Sequence, residues 1–337
     1  MTKLARNSYI FIVGALILIG WLKLTTLALT LLFAYLALNK LQFFGRKWIA
    51  VGLFVVVMAG VFYGFFFFVK EAIETLPKIA HTSIPMIIDY AEKHDIDPGF
   101  TDLQTLKARL LSSITEELRY FGYLAKIATR EIAIIVIAIV VSISIFFNSR
   151  FQLGEGPATR NNLYSVFCDE LTARFTSFYR SFELVIGAQL VISTINTVLT
   201  SIFVLAVGLP YAGVIIVVTF LCGLLPIVGN IISNTVTVSI AFTVSPKMAV
   251  AALVFLVIIH KLEYFLNSKI IGDRIKNPVW LTLIALILGE RLMGIPGMIL
   301  APVILHFLKV EASRIRLPIK PPEPVERAPE EYAELKG

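Results

Sequence analysis

WIAVGLFVVVMAGVFYGFFFFV, residues 48–69, holds no charged side chain. A helix rises 1.5 Å per residue, so about 20 apolar residues cross roughly 30 Å of hydrocarbon. This stretch is long enough. Similar runs recur at Ile132–Phe147 (short), Leu184–Val207 and Met248–Leu266. Over all 337 residues, 57% are apolar and only 16% charged. A soluble chain carries about 25% charge, so this one cannot cover a soluble surface. The sequence predicts an all-α polytopic membrane protein.

Three further apolar stretches read as hairpins with short arms. Residues 9–38 fold at Lys23. Residues 211–244 fold at Pro226-Ile227-Val228-Gly229-Asn230. Residues 279–308 fold around Glu290-Arg291 and Pro296-Gly297. The arm 279–288 is too short to span alone, so re-entrance is expected there. Re-entrant backbone survives at depth only when buried in protein or lining a wet cavity, which makes these hairpins candidates for the working part. The start resembles a signal peptide, but Trp21-Leu22-Lys23 leads straight into a second apolar run. An uncleaved helix pair is the expectation.

Two polar insertions interrupt the pattern. Residues 70–131 carry ten acidic and eight basic side chains. Ala72, Ile73, Leu76, Ala80, Ile84, Ile87, Ile88 and Ala91 repeat at helical spacing. After Asp97-Pro98-Gly99, Thr101 and Gln104 form a capping box, and a second stripe runs from Leu103 to Leu124. This predicts an extramembrane αα-hairpin, continuous or not with its flanking spans. In residues 148–183, Leu163, Val166, Phe167, Leu171, Phe175, Phe178 and Phe182 line one face, as in a helix lying on the cytoplasmic leaflet. The expected organisation is therefore 1–69, an N-terminal hairpin and third span; 70–131, the extramembrane hairpin; 132–147, a span; 148–183, the interfacial helix; 184–309, the C-terminal membrane core; and 310–337, a disordered tail.

Orientation follows from the basic residues. With the N-terminus inside, Lys3/Arg6, Lys40/Arg46/Lys47, Lys261/Lys269/Arg274/Lys276 and Lys309/Arg314/Arg316/Lys320 all fall inside. The outside turns keep only Lys23, Lys247 and Arg291, as the positive-inside rule requires. Clusters placed this way are orientation signals rather than a nucleic-acid surface, and no nucleic-acid partner is expected. Cys168 and Cys222 cannot make a disulfide framework. With four histidines, no phosphate-binding loop, no nucleophile elbow and no His-Glu-x-x-His, the chain reads as a non-enzyme without cofactor or metal. Lacking an ATP site, it would draw on a gradient for any pumping.

The candidate site residues are few. His260, Glu263 and Asn267 share one helix face at i, i+3, i+7. Ionisable groups inside a membrane are costly and mark ion or substrate paths; the alternative is an interfacial anchor, with Lys261 snorkelling. Glu263 stands out, because a carboxylate out of water favours its protonated form and can exchange a proton. Pro226, Gly229 and Asn230 break a helix, freeing backbone groups that can hold an ion or polar ligand; a plain inter-helix turn is the other reading. Gln189 and Asn196 also share a face, as interhelical hydrogen-bond glue or as part of a pathway.

The ordered motifs Gly187-x-Gln189, Gly208-Leu209-Pro210-Tyr211-Ala212, Leu225-Pro226-Ile227-Val228-Gly229, Glu263, Ile270-Ile271-Gly272, Gly294-Ile295-Pro296-Gly297 and Leu300-Ala301-Pro302 resemble the autoinducer-2 exporter family, also called PerM-like permeases. The resemblance covers about residues 185–308. It departs at Ile227, where the family often has tyrosine, and at Lys269 and Asn230, where proline is common. The resemblance implies about eight membrane helices, homo-oligomers and an inner (plasma) membrane location in bacteria. It also implies secondary transport of a small polar solute across the lipid bilayer, or sodium(lithium)/proton exchange at Glu263. A third expectation, independent of the resemblance, is a non-transport scaffold docking through 70–131.

Overall fold

The computed structural model describes residues 3–43, 45–93, 121–148, 163–226, 228–271 and 278–315. Among the described residues all regular structure is helical. The helices are α1 (Lys3–Trp21), α2 (Thr25–Leu41), α3 (Lys47–Lys93), α4 (Phe121–Phe147), α5 (Leu163–Ala206), α6 (Ala212–Cys222), α7 (Val228–Val244), α8 (Pro246–Ile271) and α9 (Val279–Arg314). By length and composition, Lys47–Ala91, Arg130–Phe147, Ser165–Ala206 and Trp280–Arg314 can each cross a membrane. The bent pair α1–α2 makes a fifth candidate, and α6 and α7 are shorter apolar helices. Val56 and Phe66 on α3, Val136 and Val140 on α4 and Ile258 on α8 all point outward, exposed. A helix apolar on its outer face as well as its inner one needs lipid as its solvent. The chain is a multi-pass membrane protein.

The hairpin turns have physical causes. α1 and α2 meet at 117°. Lys23, at φ 55, ends α1 in a left-handed residue. The Leu24 amide bonds the Ile19 carbonyl and the Lys23 amide that of Gly20, the paired bonds of a Schellman cap. Gly208, at φ 66, ends α5 the same way, through Leu209 to Val204 and Gly208 to Leu205. α9 breaks at Gly294 (φ 66, ψ −156), between the two pairs that the sequence pointed to. Eight residues of straight helix would separate Gly289 from Gly297 by about 12 Å. Instead their backbones touch, and a Cβ on either would run into the other's carbonyl.

Some expected boundaries shift. The break in 211–244 follows Cys222, with α7 resuming at Val228, so Gly229 and Asn230 sit in the first turn of a helix. No break separates an interfacial helix from the next span at 183, because α5 runs through it. Phe178 and Phe182 are buried against α1, α2 and α9 together with Ile12, Leu36, Leu300 and Phe307. The C-terminal end of the apolar stripe is thus covered by protein, while Leu163, Val166 and Phe175 stay exposed. α9 also continues past 309 to Arg314, and Glu311 is 3% exposed. Residues 316–337 lie outside the described residues, as do 94–120 with the capping box and most of the second stripe. The first arm of that hairpin is the continuation of α3 through Pro77 and Pro85. It packs back on the C-terminal core, with Ile79 against Ile240 and Val204 and Tyr90 edge-on to Phe242 at 6.1 Å.

α5 therefore joins two cores. Its first half lies in the α1–α2–α9 cluster and its second half among α3, α6, α7 and α8. A third cluster, Ala34, Leu38, Ala50, Phe54 and Phe146, holds α2, α3 and α4 together.

Candidate functional site

Gln189, Ser193 and Asn196 stand at i, i+4 and i+7 on α5, one stripe of a continuous helix. The stripe faces the gap where α6 stops and α7 begins. Helix ends leave carbonyls without intrahelical donors, and α5 supplies them from its side chains. Gln189 Nε2 donates to the Gly223 carbonyl. Ser193 Oγ donates to the Phe220 carbonyl at 2.8 Å. Pro226, half-buried, occupies the turn. Gly229 lets α7 fold back onto α6, since a Cβ there would collide with the Cys222 carbonyl.

One turn beyond this break the candidate polar residues meet. Asn196 Nδ2 donates to Glu263 Oε2 at 3.3 Å. From α7, Asn230 Nδ2 lies 3.2 Å and 3.1 Å from the two carboxylate oxygens of Glu263. The Glu263 side chain is 16% exposed, so α5, α7 and α8 close around a mostly buried acid. His260 Nδ1 stands 3.9 Å from Glu263 Oε2, beyond hydrogen-bond reach. Its Nε2 is 3.0 Å from Asn234 Nδ2. Two buried polar atoms at this point, Asn196 Oδ1 and His260 Nδ1, have no hydrogen-bond partner.

Four sequence-predicted residues, Asn196, Asn230, His260 and Glu263, thus converge, while Gln189, Pro226 and Gly229 build the break beside them. Asn267 continues along α8, and its side chain lies outside the described residues. Ser193 and Asn234 were not among the expected site residues. Ser193 was findable, because it fills the stripe between Gln189 and Asn196. Asn234 follows Asn230 by one turn, and its role depends on where His260 lies. Beside the cluster, between α7 and α8, lies a cavity of about 280 Å³ lined by Asn234, Leu253, Leu256, Val257, His260 and Lys261. Among the described residues no group of three or more His, Cys, Asp or Glu side chains could hold a metal ion.

The arrangement has a definite chemistry. Glu263 is held by neutral amides, and each amide turned over would present oxygen instead of N–H. The same side chains can therefore meet a hydroxyl or a cation. Exchange of a proton needs the acid alone.

A model of the family described as "AI-2E family transporter" matches residues 7–316. The chain belongs to the AI-2E transporter family. Two Bacillus subtilis (strain 168) proteins are similar to it. "Putative transport protein YdbI" is 31% identical over 191 residues, 56% of this chain and 54% of that protein. "Putative transport protein YueF" is 36% identical over 99 residues, 29% of this chain and 27% of that protein. The match thus spans about half the length of the first relative and less of the second.

A second polar network was not foreseen. Glu311 on α9 accepts from Ser177 Oγ, from Tyr9 Oη at 2.6 Å, from Arg174 at 3.1 Å and from Arg314 at 2.6 Å. Arg174 also reaches Glu170 at 3.2 Å and lies 4.5 Å over the Tyr9 ring. This joins α1, α5 and α9, and it sets the start of α1 beside the end of α9.

Proposed function

We propose that this AI-2E family member is a secondary transporter that moves a small polar solute across the bacterial inner membrane, with Glu263, Asn196, Asn230, Asn234 and His260 as its binding cluster. One observation carries the reading: a mostly buried carboxylate held by amides from α5 and α7, beside a broken helix. Ionisable groups at membrane depth are costly and belong to pathways. Discontinuous helices carry the binding sites of many carriers. The names of the two similar Bacillus subtilis proteins agree with transport. N-terminus and C-terminus face the cytoplasm by the distribution of Lys and Arg, and the working unit is a homo-oligomer, as the family resemblance implies.

A second reading is sodium(lithium)/proton exchange at Glu263. The unpartnered Asn196 Oδ1 close to the carboxylate favours it, since two such oxygens suit a monovalent cation. Proteoliposomes with the full chain separate the readings. Tracer flux of small polyols and dye-reported proton movement under a sodium gradient are measured for wild type and Glu263→Gln. A hydrogen bond to a charged group contributes about 1.5–3 kcal/mol, so flux in the variant should fall by roughly tenfold to a hundredfold. Sodium-dependent proton movement lost in Glu263→Gln selects exchange. Polyol flux lost without proton movement selects the solute. Unchanged behaviour in both assays refutes the role of Glu263.

A further inference from the structure

One oxygen of the Glu263 carboxylate is fully engaged. Oε2 accepts from Asn230 Nδ2 at 3.1 Å and from Asn196 Nδ2 at 3.3 Å. A carboxylate offers about four lone-pair sites on its two oxygens, so these two donors fill Oε2. His260 Nδ1 stands 3.9 Å from the same oxygen, sealed from solvent and without a partner. A buried polar atom left idle is rare and unfavourable. Asn234 decides what that atom offers, since its Nδ2 lies 3.0 Å from His260 Nε2. With Nε2 accepting, the neutral ring carries its hydrogen on Nδ1. The opposite orientation of the Asn234 amide would turn a Nδ1 lone pair against the carboxylate. His260 is therefore a donor aimed at an oxygen that has no site left for it.

Of the two engaged donors, Asn196 is the one that can yield. Its contact is the longer, and it makes one bond where Asn230 reaches both oxygens. It also comes from α5, whereas His260 shares α8 with Glu263, three residues away. A shift of α5 against α8 moves Asn196 off the acid and leaves His260 beside it. Past Glu183, α5 carries no Lys, Arg or His, and neither do α6 and α7, so no basic side chain on those helices competes for the place. Asn196 Oδ1 is buried and unpartnered too, so both contenders for Oε2 are only partly satisfied as they stand. We propose that His260 is a positioning residue that takes the place of Asn196 on Glu263 Oε2 when α5 draws back, so that the acid is held in two alternative arrangements. One hydrogen bond is handed over, and no proton is transferred. The proposal rests on the reading of Glu263 as the transport acid for its purpose: α5 and α8 can part around the site without stranding a buried charge, which is strongly destabilising.

The test uses the full chain in lipid bilayers, isotope-labelled at the histidine nitrogens and the glutamate carboxyl carbons. Solid-state NMR then measures the distance between the two labels. The His260–Glu263 signal is the one lost in both His260→Gln and Glu263→Gln. In wild type, Nδ1 should lie beyond hydrogen-bond distance of the acid. Asn196→Leu removes the α5 donor. Nδ1 should then close on Oε2 from 3.9 Å to under about 3.2 Å, and the measured Nδ1–carbon distance should shorten to match. Asn196→Ala should do the same and stands in if the leucine variant does not fold; unchanged signals from the other histidines are the folding control. A distance that keeps its wild-type value in a folded Asn196 variant overturns the proposal. So does a short distance already present in wild type, which makes His260 a permanent partner. The two readings fail separately. If flux survives Glu263→Gln while His260 closes on the acid, the transport role of Glu263 falls and the handover stands. If flux needs Glu263 and His260 does not close, the handover falls alone.

Discussion

Replacing Glu311 by methionine tests whether buried charge pairing holds α1, α5 and α9 together. The carboxylate is 4% exposed and its partner Arg174 15%, whereas Arg314 is 50% exposed. Breaking a buried pair leaves the surviving charge uncompensated, at a cost of about 3–5 kcal/mol. The half-exposed Arg314 adds under about 1 kcal/mol, because solvent screens it. Glu170 remains near Arg174, yet its side chain is 31% exposed and replaces only part of the lost attraction. At about 2–4 °C per kcal/mol, Glu311→Met should lower the melting temperature by roughly 6–20 °C, followed by tryptophan fluorescence in detergent. Arg174→Met should do less damage, since Arg314, Ser177 and Tyr9 still hold Glu311. The double variant, apolar at both positions, should regain most of the loss. If it instead melts at the sum of the two single shifts, the residues are not coupled and the account is wrong.

Other expectations follow from contacts already described. Gly229→Ala drives a methyl into the Cys222 carbonyl and should cost at least about 1–3 kcal/mol, lowering both melting temperature and flux. Gly213→Ala, with open space around its Cβ, should do neither. A Cβ added at Gly20 would lie 3.3 Å from the Met293 side chain, so Gly20→Cys with Met293→Cys should form a disulfide on mild oxidation; no cross-link would mean that the α1 and α9 tips do not meet. Lys40 and Glu183 pair at 2.7 Å but are 67% and 37% exposed, so Lys40→Ala should shift the melting temperature by less than about 3 °C.

The sequence made the helical class, the hairpins and the acid legible for one reason: each is a local signal. A charge-free run, a Pro-Gly interruption or a glutamate in an apolar segment is visible within a few positions. Asn196, Asn230 and Glu263 were each singled out this way, although their mutual contact was not predictable. The Glu311 network was invisible because Glu311 lies 134–302 positions from its partners on α1 and α5. Glu311 itself stood among charged residues just before a Pro-rich end, where a buried acid has no local signature. The burial of Phe178 and Phe182, at the end of the stripe from Leu163, was not legible for a related reason. Amphipathicity states that one face is covered, not whether lipid or α1, α2 and α9 cover it.

One 44-residue helix without proline, α5, touches Glu311 through Ser177 and Glu263 through Asn196. Those two positions are about 28 Å apart along the axis. Stiffness over that length turns the helix into a lever with its pivot at one acid and its tip at the other. A tilt of about 5° about Ser177 carries Asn196 roughly 2.5 Å over this arm. The Asn196–Glu263 contact, 3.3 Å long at rest, does not survive such a swing. Small angular play where α1 starts and α9 ends is thereby magnified into the making or breaking of a single amide contact at Glu263.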